Sequence, residues 1–502
     1  MNIDYIIVQA GGKGTRLGRL TENKPKALVP VENLPMLFHL FRKYPDKRYV
    51  IIADHKKEVL REYLECFAEV KYQVVDAAGS GTCSGVKQAA DLLPDGEPFM
   101  LLWSDLILPD SFALPAEPGG DYIGVSQTFP CRWSYKDGAF AEERSAEHGV
   151  AGLFIFRDKS ALADVPMSGE LVRWMQGCGM QFAEIRLSGT REFGILSEYE
   201  ELEPEKCRPF NKMTLSGCTV TKEPIDDQGK KLAILESKWY EAAISKGVLN
   251  IPKIISTEPL KMEQINGKNI YEYADLPLEE KQIILGKLTA ALKELHGMEQ
   301  TPADTFSLRE AYYSKTMGRL SKIRDLIPLA DQKSININGR ECRNVYHYKS
   351  DFENMLAALV CGSFAFIHGD CTFSNIMLKD DTEPVFIDPR GYFGYTELYG
   401  DPNYDWAKLY YSVVGNYDRF NLKDFSLAIG ERDVRINIAS NHWEGLEHDF
   451  FMLSDTDRKT IKLIHAVIWL SLTTYAWQDY DSICGAFYNG LYHLEEAYDG
   501  AF

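Results

Sequence analysis

Positive charge is the scarcest thing in this 502-residue sequence: 55 lysines and arginines stand against 73 aspartates and glutamates, a net charge of −18. Broad contact with nucleic acid or with an anionic membrane face needs clustered cations, so neither partner is expected. Any anionic substrate must instead be met by local basic residues in a pocket. Long apolar runs are also missing. The best candidate, residues 464–477, is interrupted by His465, Ser471, Thr473 and Thr474. It is too short and too polar for a bilayer core of about 30 Å, and no membrane insertion is expected. The opening MNIDYIIVQAGG has no basic leader and reads as a buried strand ending in glycines, not as a signal peptide. The ten cysteines include no C-x-x-C pair and no zinc-finger spacing to a histidine pair, which points to reduced thiols in a cytoplasmic protein. Internal repeats and low-complexity segments are absent.

What is present is ordinary globular composition, 45% hydrophobic and 25% charged, which excludes a disordered or fibrous chain. At about 150 residues per domain the length predicts two or three domains. Over the first 200 residues short apolar runs predict strands at 5–8, 49–53, 72–75, 99–103, 122–127, 152–156 and 181–185. Amphipathic stretches at 57–67 and 85–93 predict helices between them. That alternation implies an α/β domain, a sheet with helices on both faces. An acidic stretch with two prolines, residues 198–209, reads as a junction. Beyond it come β-rich residues 211–222 with a turn at Ser216-Gly217, a predicted helix at 231–243, more strand near 260–273, and then mostly helix. The predicted domains are 1–205 and 206–502.

The first candidate site is GGKGTRLGRLTENKPKALVPV, residues 11–31, directly after the first predicted strand. Glycines there let backbone N–H groups approach phosphates, and Arg16 and Lys26 add charge to the same place. The loop lacks the Lys-Ser/Thr ending of a Walker A motif, and Leu17 occupies the third glycine of a dinucleotide fingerprint. The stretch resembles the nucleotidyltransferase family that activates sugar phosphates and phosphocholine. Gly11–Leu17 matches its GG-x-GTRL loop, Pro25-Lys26 its PK pair, and Gly81-Thr82-Cys83 stands at its G-T-A motif. Asp105 after FMLLW matches its first metal carboxylate. Glu192-Phe193-Gly194 with Glu198-Tyr199 resembles its second acidic motif, with glutamate in place of aspartate. The resemblance covers roughly residues 3–203 and implies a Rossmann-like, GT-A-type fold with a mixed sheet. It also implies Mg²⁺ on Asp105 and Glu192, and nucleotide binding by Ala10, Gly11, Gly12, Gly14, Thr15, Gly81 and Thr82. Arg16 would bind the β- and γ-phosphates, and Lys26 would bridge the α-phosphate and the acceptor phosphate. A phosphate monoester is already an anionic nucleophile, so no general base is needed once the repulsion between the two anions is offset.

The second candidate site is FIHGDCTFSNIMLKDDTEPVFIDPRG, residues 366–391. His368, Asp370, Asn375 and Asp388 resemble the catalytic core of the aminoglycoside phosphotransferase and choline kinase family, over roughly residues 208–495. The family implies an α+β bilobal, kinase-like fold. Asp370 would orient the acceptor hydroxyl and take its proton, Asn375 and Asp388 would hold Mg²⁺ on ATP, and His368 would orient the loop. Upstream, Lys222 in VTKEP and Glu236, placed at the start of a helix, resemble the kinase lysine–glutamate pair. Residues 262–265, including Glu263 and Ile265, resemble the hinge that meets adenine. Leu295-His296, Asp401 and Asp405 resemble the family's structural residues. Asp388-Pro389-Arg390 replaces D-F-G and no activation segment follows, which argues against a protein substrate. Choline kinases usually carry an aromatic or acidic residue after the metal aspartate, and Pro389-Arg390 weighs against choline. The aromatic residues 443–492 read as a helical core rather than an ammonium cage, and Cys371 as a packed residue.

Together the two resemblances imply a bifunctional enzyme. A small alcohol, a choline-like amino alcohol or a sugar, would be phosphorylated with ATP, and the product joined to a nucleotide with release of pyrophosphate. CTP is favoured because the first domain is short. The implied role is decoration of bacterial cell-surface polymers. Three alternatives stay open: a sugar kinase with a UTP-dependent transferase, a transferase with a non-catalytic kinase-like module, and an interaction protein without catalysis.

Overall fold

The computed structural model describes residues 2–115, 119–202, 211–225, 227–273 and 275–499. The chain forms two compact units, residues 1–204 with 477–481 and residues 205–476 with 482–502. The expected boundary near residue 205 lies outside the described residues.

The first unit is α/β. Its principal strands are Tyr5–Gln9 (β1), Arg48–Ala53 (β2), Lys71–Asp76 (β3), Phe99–Trp103 (β4), Tyr122–Ser126 (β5), Gly149–Phe156 (β6) and Ala183–Leu187 (β7). They belong to a nine-stranded mixed sheet whose centre runs β6-β4-β1-β2-β3, with β5 and β7 continuing on the far side of β6. Strands β4, β1, β2 and β3 are parallel, while β6 runs antiparallel to β4. Strands β4, β1 and β2 are nearly continuous apolar runs because both faces are covered, whereas β3, KYQVVD at the end of the path, is half polar. Successive side chains in a strand point to opposite faces, and the contacts follow that rule. Tyr49 of β2 meets Phe41 and the Leu40 carbonyl of the helix Met36–Lys43 (α1). Ile52 shares a core with Val86 and Ala89 of Val86–Asp91 (α3) and with Leu171 of Leu171–Gly177 (α4). Helices therefore lie on both faces, and Lys57–Phe67 (α2) connects β2 to β3. Strand β1 sends its chain to β2 on one side and is flanked by β4 on the other. Such a switch point, at the carboxyl ends of parallel strands, opens the crevice where ligands bind in this kind of sheet.

Residues 477–481 were expected in the second domain and belong instead to the first unit. Trp477 packs on Phe38 and Phe67, and Tyr63 donates its hydroxyl hydrogen to the Trp477 carbonyl.

The second unit begins with a four-stranded antiparallel sheet, order β8-β9-β11-β10, made of Asn211–Ser216 (β8), Thr219–Pro224 (β9), Ile254–Thr257 (β10) and Leu260–Glu263 (β11). The helix Asp227–Lys246 (α5) packs on it. The remainder is largely helical and includes Leu278–Gly297 (α6), Lys315–Ile323 (α7), Pro402–Val413 (α8), Arg458–Leu472 (α9) and Tyr480–Asp499 (α10). Tyr411 of α8 meets Trp469 of α9 edge-on at 4.7 Å, and Trp443, Trp469 and Tyr488 are fully buried in this helical core. A second four-stranded sheet, from Ser334–Ile337, Arg340–Arg343, Phe425–Ile429 and Asp433–Ile438, interrupts the helices. Its first hairpin turns at Asn338-Gly339, both at positive φ, which is the chemistry a two-residue turn requires.

Candidate active sites

In the first unit β1 ends at Gln9, and Ala10 still donates to the Ile52 carbonyl at 3.0 Å before the glycine loop departs. Gly14 sits at φ +64°, and a Cβ there would fall 2.7 Å from Thr21 Cγ2 and 3.1 Å from Lys26 Cβ. The loop can close over the Lys26 stem only because residue 14 has no side chain. Gly12, Thr15 and Arg16 stand exposed at the mouth, and Gly11 is half-buried. Pro25 presets φ for the turn Lys26–Leu28, which carries the Lys26 side chain inward to an ion pair with Asp105.

Asp105 follows β4 directly and is buried, and its Oδ1 has no hydrogen-bond partner. The short strand Arg191–Glu192 pairs antiparallel with Leu106–Ile107, and the Phe193 N–H donates to the Asp105 carbonyl at 3.0 Å. That pairing brings Glu192 beside Asp105. Burial, reinforced by the Asp105 charge, pushes the Glu192 carboxyl up to about 7. A Cβ at residue 194 would lie 2.1 Å from Glu192 Oε1 and 3.4 Å from Arg16 Nη2, so Gly194 makes room for both groups. An orphaned carboxylate oxygen beside a second acid is a donor set suited to a hard divalent cation. No cluster of three or more acid, histidine or cysteine ligands occurs among the described residues, so further ligands would come from substrate phosphates and water.

Gly81-Thr82 has a positioning part. The Leu171 N–H donates to Thr82 Oγ1 at 2.8 Å and Gln9 Nε2 donates to the Thr82 carbonyl, tying the end of β1 to the start of α4. Lys24, next to Pro25-Lys26, is buried with Nζ 3.0 Å from Asp479 Oδ1 and paired also with Asp481. Burial alone would lower its affinity for a proton, and the two carboxylates more than reverse that.

In the second unit Lys222 lies on β9, with Nζ 2.7 and 2.9 Å from the two Glu236 oxygens and ion-paired with Asp388. Burial would discharge this lysine, but Asp388 and Glu236 outweigh it and keep it cationic. Glu236 does not open its helix as expected: α5 starts at Asp227, placing Glu236 near its middle. At the expected hinge the N–H groups of Glu263 and Gln264 are taken by the Lys253 and Cys218 carbonyls. The Ile265 N–H has no such partner among the described residues.

The loop after Phe366 is held by Asp405 of α8, whose oxygens accept from the His368 and Gly369 N–H groups at 2.8 and 2.7 Å and meet His296 Nε2 at 3.1 Å. Asp401 caps α8 and accepts from Tyr312. His368 Nε2 sits 2.9 Å from the Ile387 carbonyl, consistent with an orienting part. Asn375 Nδ2 donates to the Asp370 carbonyl at 2.9 Å, and the Ile387 N–H donates to the Asn375 carbonyl. The loop that carries Asp370 and Asn375 and the half-exposed Asp388 are thereby set side by side. Asp370 accepts from Arg390 Nε and pairs with Lys408 Nζ, each at 3.0 Å. Although buried, its carboxyl is held below the usual carboxylate range by these cations, Lys408 foremost. Cys371 is buried, and burial raises its thiol well above the ordinary value. Lys315, Arg319 and Lys408 line the same cavity as Asp370 and were not singled out from sequence.

Residues 5–115 match the family model for nucleotidyl transferases, and residues 236–433 that for the phosphotransferase enzyme family, so the chain joins a domain of each. Over 108 residues it is 32% identical to the bifunctional protein GlmU of Methanococcus maripaludis, spanning 21% of this chain and 25% of that protein. Over 115 residues it is 33% identical to the mannose-1-phosphate guanylyltransferase catalytic subunit beta of Dictyostelium discoideum, spanning 21% and 32%. The chain thus spans about a quarter to a third of the length of these curated relatives. Among solved structures, HddC from Yersinia pseudotuberculosis is similar over 40% of this chain and 97% of its own, with 18% identity and a TM-score of 0.35.

Proposed function

We propose that the chain is a bifunctional enzyme: the second unit phosphorylates a small alcohol with ATP, and the first transfers a nucleotidyl group to the resulting phosphate with release of pyrophosphate. The observation that carries the proposal is that one chain assembles two separate charge constellations. One is Lys26 on Asp105 with Glu192 beside it, and the other is Lys222 on Glu236 with Asp370, Asn375 and Asp388.

In the first unit the N–H groups of residues 11–15 receive the triphosphate, while Arg16 at the exposed mouth meets its outer phosphates. Lys26 lies between the α-phosphorus and the incoming phosphate monoester and offsets the repulsion of two anions. Asp105 and Glu192 would hold Mg²⁺, which when bound supplies charge stabilisation to the departing pyrophosphate. Glu192 must give up its proton to serve as a ligand, and Lys26 favours that loss.

In the second unit Lys222, fixed by Glu236, meets the ATP phosphates, and Asn375 and Asp388 would hold Mg²⁺ on them. Asp370 orients the acceptor hydroxyl and receives its proton late, since a carboxylate held so firmly anionic by Lys408 and Arg390 is a weak base. This suits a loose transition state, in which positioning matters more than early proton removal. CTP is the nucleotide we favour, on the shortness of the first unit, and the activated product would serve bacterial surface polymers.

The test is wild-type chain with Mg²⁺·ATP, a panel of alcohols, and each of CTP, UTP and GTP in turn, reading ADP and pyrophosphate together. The proposal expects ADP with at least one alcohol, and pyrophosphate only when that alcohol's phosphate is present. Pyrophosphate formation without any need for a phosphorylated acceptor would contradict it.

A further inference from the structure

Four cationic side chains line one cavity of about 160 Å³ in the second unit, against a single carboxylate. Lys315 and Arg319 lie one turn apart on α7, Arg390 stands two residues past Asp388, Lys408 is on α8, and Asp370 is the only acid among the lining residues. Three of the cations have partners. Arg390 and Lys408 share Asp370, and Arg319 donates to the Ser471 carbonyl and, at 3.0 Å, to its hydroxyl. The Lys315 backbone N–H donates to the Glu310 carbonyl, but its ammonium has neither a hydrogen bond nor an ion pair among the described residues. Burial, together with Arg319, Lys408 and Arg390, lowers its ammonium to about 7, with Asp370 the only opposing charge.

Uncompensated positive charge in a partly desolvated pocket is costly; the empty pocket relieves it through the lowered proton affinity of Lys315, and an anion entering beside Lys315 would restore the charged form and be held by it. A quaternary ammonium fits this pocket badly. Four cations against one carboxylate repel it, and three of the six lining aromatic rings are already under the protein's own cations: Arg390 lies 5.7 Å from the Tyr475 ring, and Lys408 5.9 and 5.5 Å from those of Tyr404 and Tyr411. A neutral polyol leaves Lys315 unpaired.

Resting on the reading of Asp370 as the residue that orients the acceptor hydroxyl, we propose that the acceptor is an alcohol bearing a second, anionic group, a phosphate or a carboxylate, met by Lys315 and Arg319. In the transfer the acceptor oxygen bonds to the γ-phosphorus as the bond from that phosphorus to the β,γ-bridging oxygen breaks. ADP leaves with the electron pair, and the hydroxyl proton passes to Asp370. The anionic group takes no part in these bond changes and serves to place the hydroxyl.

The experiment compares ADP release by the full chain with glycerol against glycerol 3-phosphate, ethylene glycol against glycolate, glucose against glucose 6-phosphate, and choline. In at least one pair kcat/KM should be tenfold or more higher for the anionic member, with choline at background, and the pairs separate phosphate from carboxylate. Lys315→Met should erase the preference without changing KM for ATP, and Lys315→Arg should keep it. Preference for choline or for the neutral members, unaffected by Lys315→Met, would overturn the inference while leaving the kinase reading intact. Binding of inorganic phosphate, followed by calorimetry, is read in parallel. If no alcohol yields ADP but phosphate binds wild type and at least tenfold more weakly to Lys315→Met, the anion site stands and the kinase reading fails. Equal phosphate binding by both proteins would overturn the anion site.

Discussion

Lys222 Nζ lies 2.7 Å from Glu236 Oε1, and both side chains are almost fully buried. Breaking a buried pair by removing one partner leaves a desolvated charge and typically costs about 3–5 kcal/mol. Because Asp388 still partners Lys222 in Glu236→Ala, that variant should lower the stability of the second unit by an amount at the lower end of that range, read by urea unfolding. Glu236→Gln, which keeps an acceptor for Lys222, should cost less. Equal midpoints for Glu236→Ala and wild type would contradict the pairing.

Lys26 and Asp105 are joined in the same way in the first unit, but next to an unsatisfied oxygen. Lys26→Ala should lower pyrophosphate release by roughly 10²- to 10³-fold, the usual cost of a lost electrostatic stabiliser. Asp105→Asn should act chiefly by raising the Mg²⁺ concentration needed for half-maximal rate. A Mg²⁺ titration of both variants separates these effects.

The lowered proton affinity of Lys315 fixes the sign of a pH effect. An unfolded lysine titrates near 10.4 and the folded one near 7, so between those values the unfolded chain binds the extra proton. Stability should therefore rise with pH across that window and reach its floor at and below about 7. Lys315→Met removes the difference, so the variant's urea midpoint should exceed wild type at pH 7 and approach it toward pH 10. Parallel curves would show that the surrounding Arg319, Lys408, Arg390 and Asp370 do not perturb this lysine.

Lys24 and its acids make a further prediction, because residues 479 and 481 belong to the first unit although they lie about 275 residues beyond its main segment. Lys24→Met should destabilise the first unit by about 3 kcal/mol, as expected for stranding buried carboxylates. A chain cut after residue 204 should be less stable than the same unit in the full chain, measured by thermal unfolding.

Both candidate sites were partly legible because their core residues are contiguous: Gly11–Leu17 with Pro25-Lys26, and His368 to Asn375, each sit on a loop just after a recognisable strand. Glu192 was legible only faintly, since its place beside Asp105 depends on the pairing of Arg191–Glu192 with Leu106–Ile107. Lys315, Arg319 and Lys408 were not legible as a set. They come from two helices distant in sequence, and an isolated lysine in a helix looks like any solvated surface cation. The start of α5 was misplaced because residues 227–231 (DQGKK) are polar and contain Gly229, a weak helix former. The sheet around Asn338-Gly339 carries a turn signal, but the mostly helical patterning on either side masks its strands.

If one chain holds two independent reactions, single substitutions should dissociate them in both directions. Asp370→Asn and Lys26→Ala are each assayed for ADP release with an accepting alcohol and for pyrophosphate release with that alcohol's phosphate. Asp370→Asn should lose ADP release and keep pyrophosphate release within about twofold of wild type, with the converse for Lys26→Ala. Loss of both activities in either well-folded variant, or of neither, would contradict it.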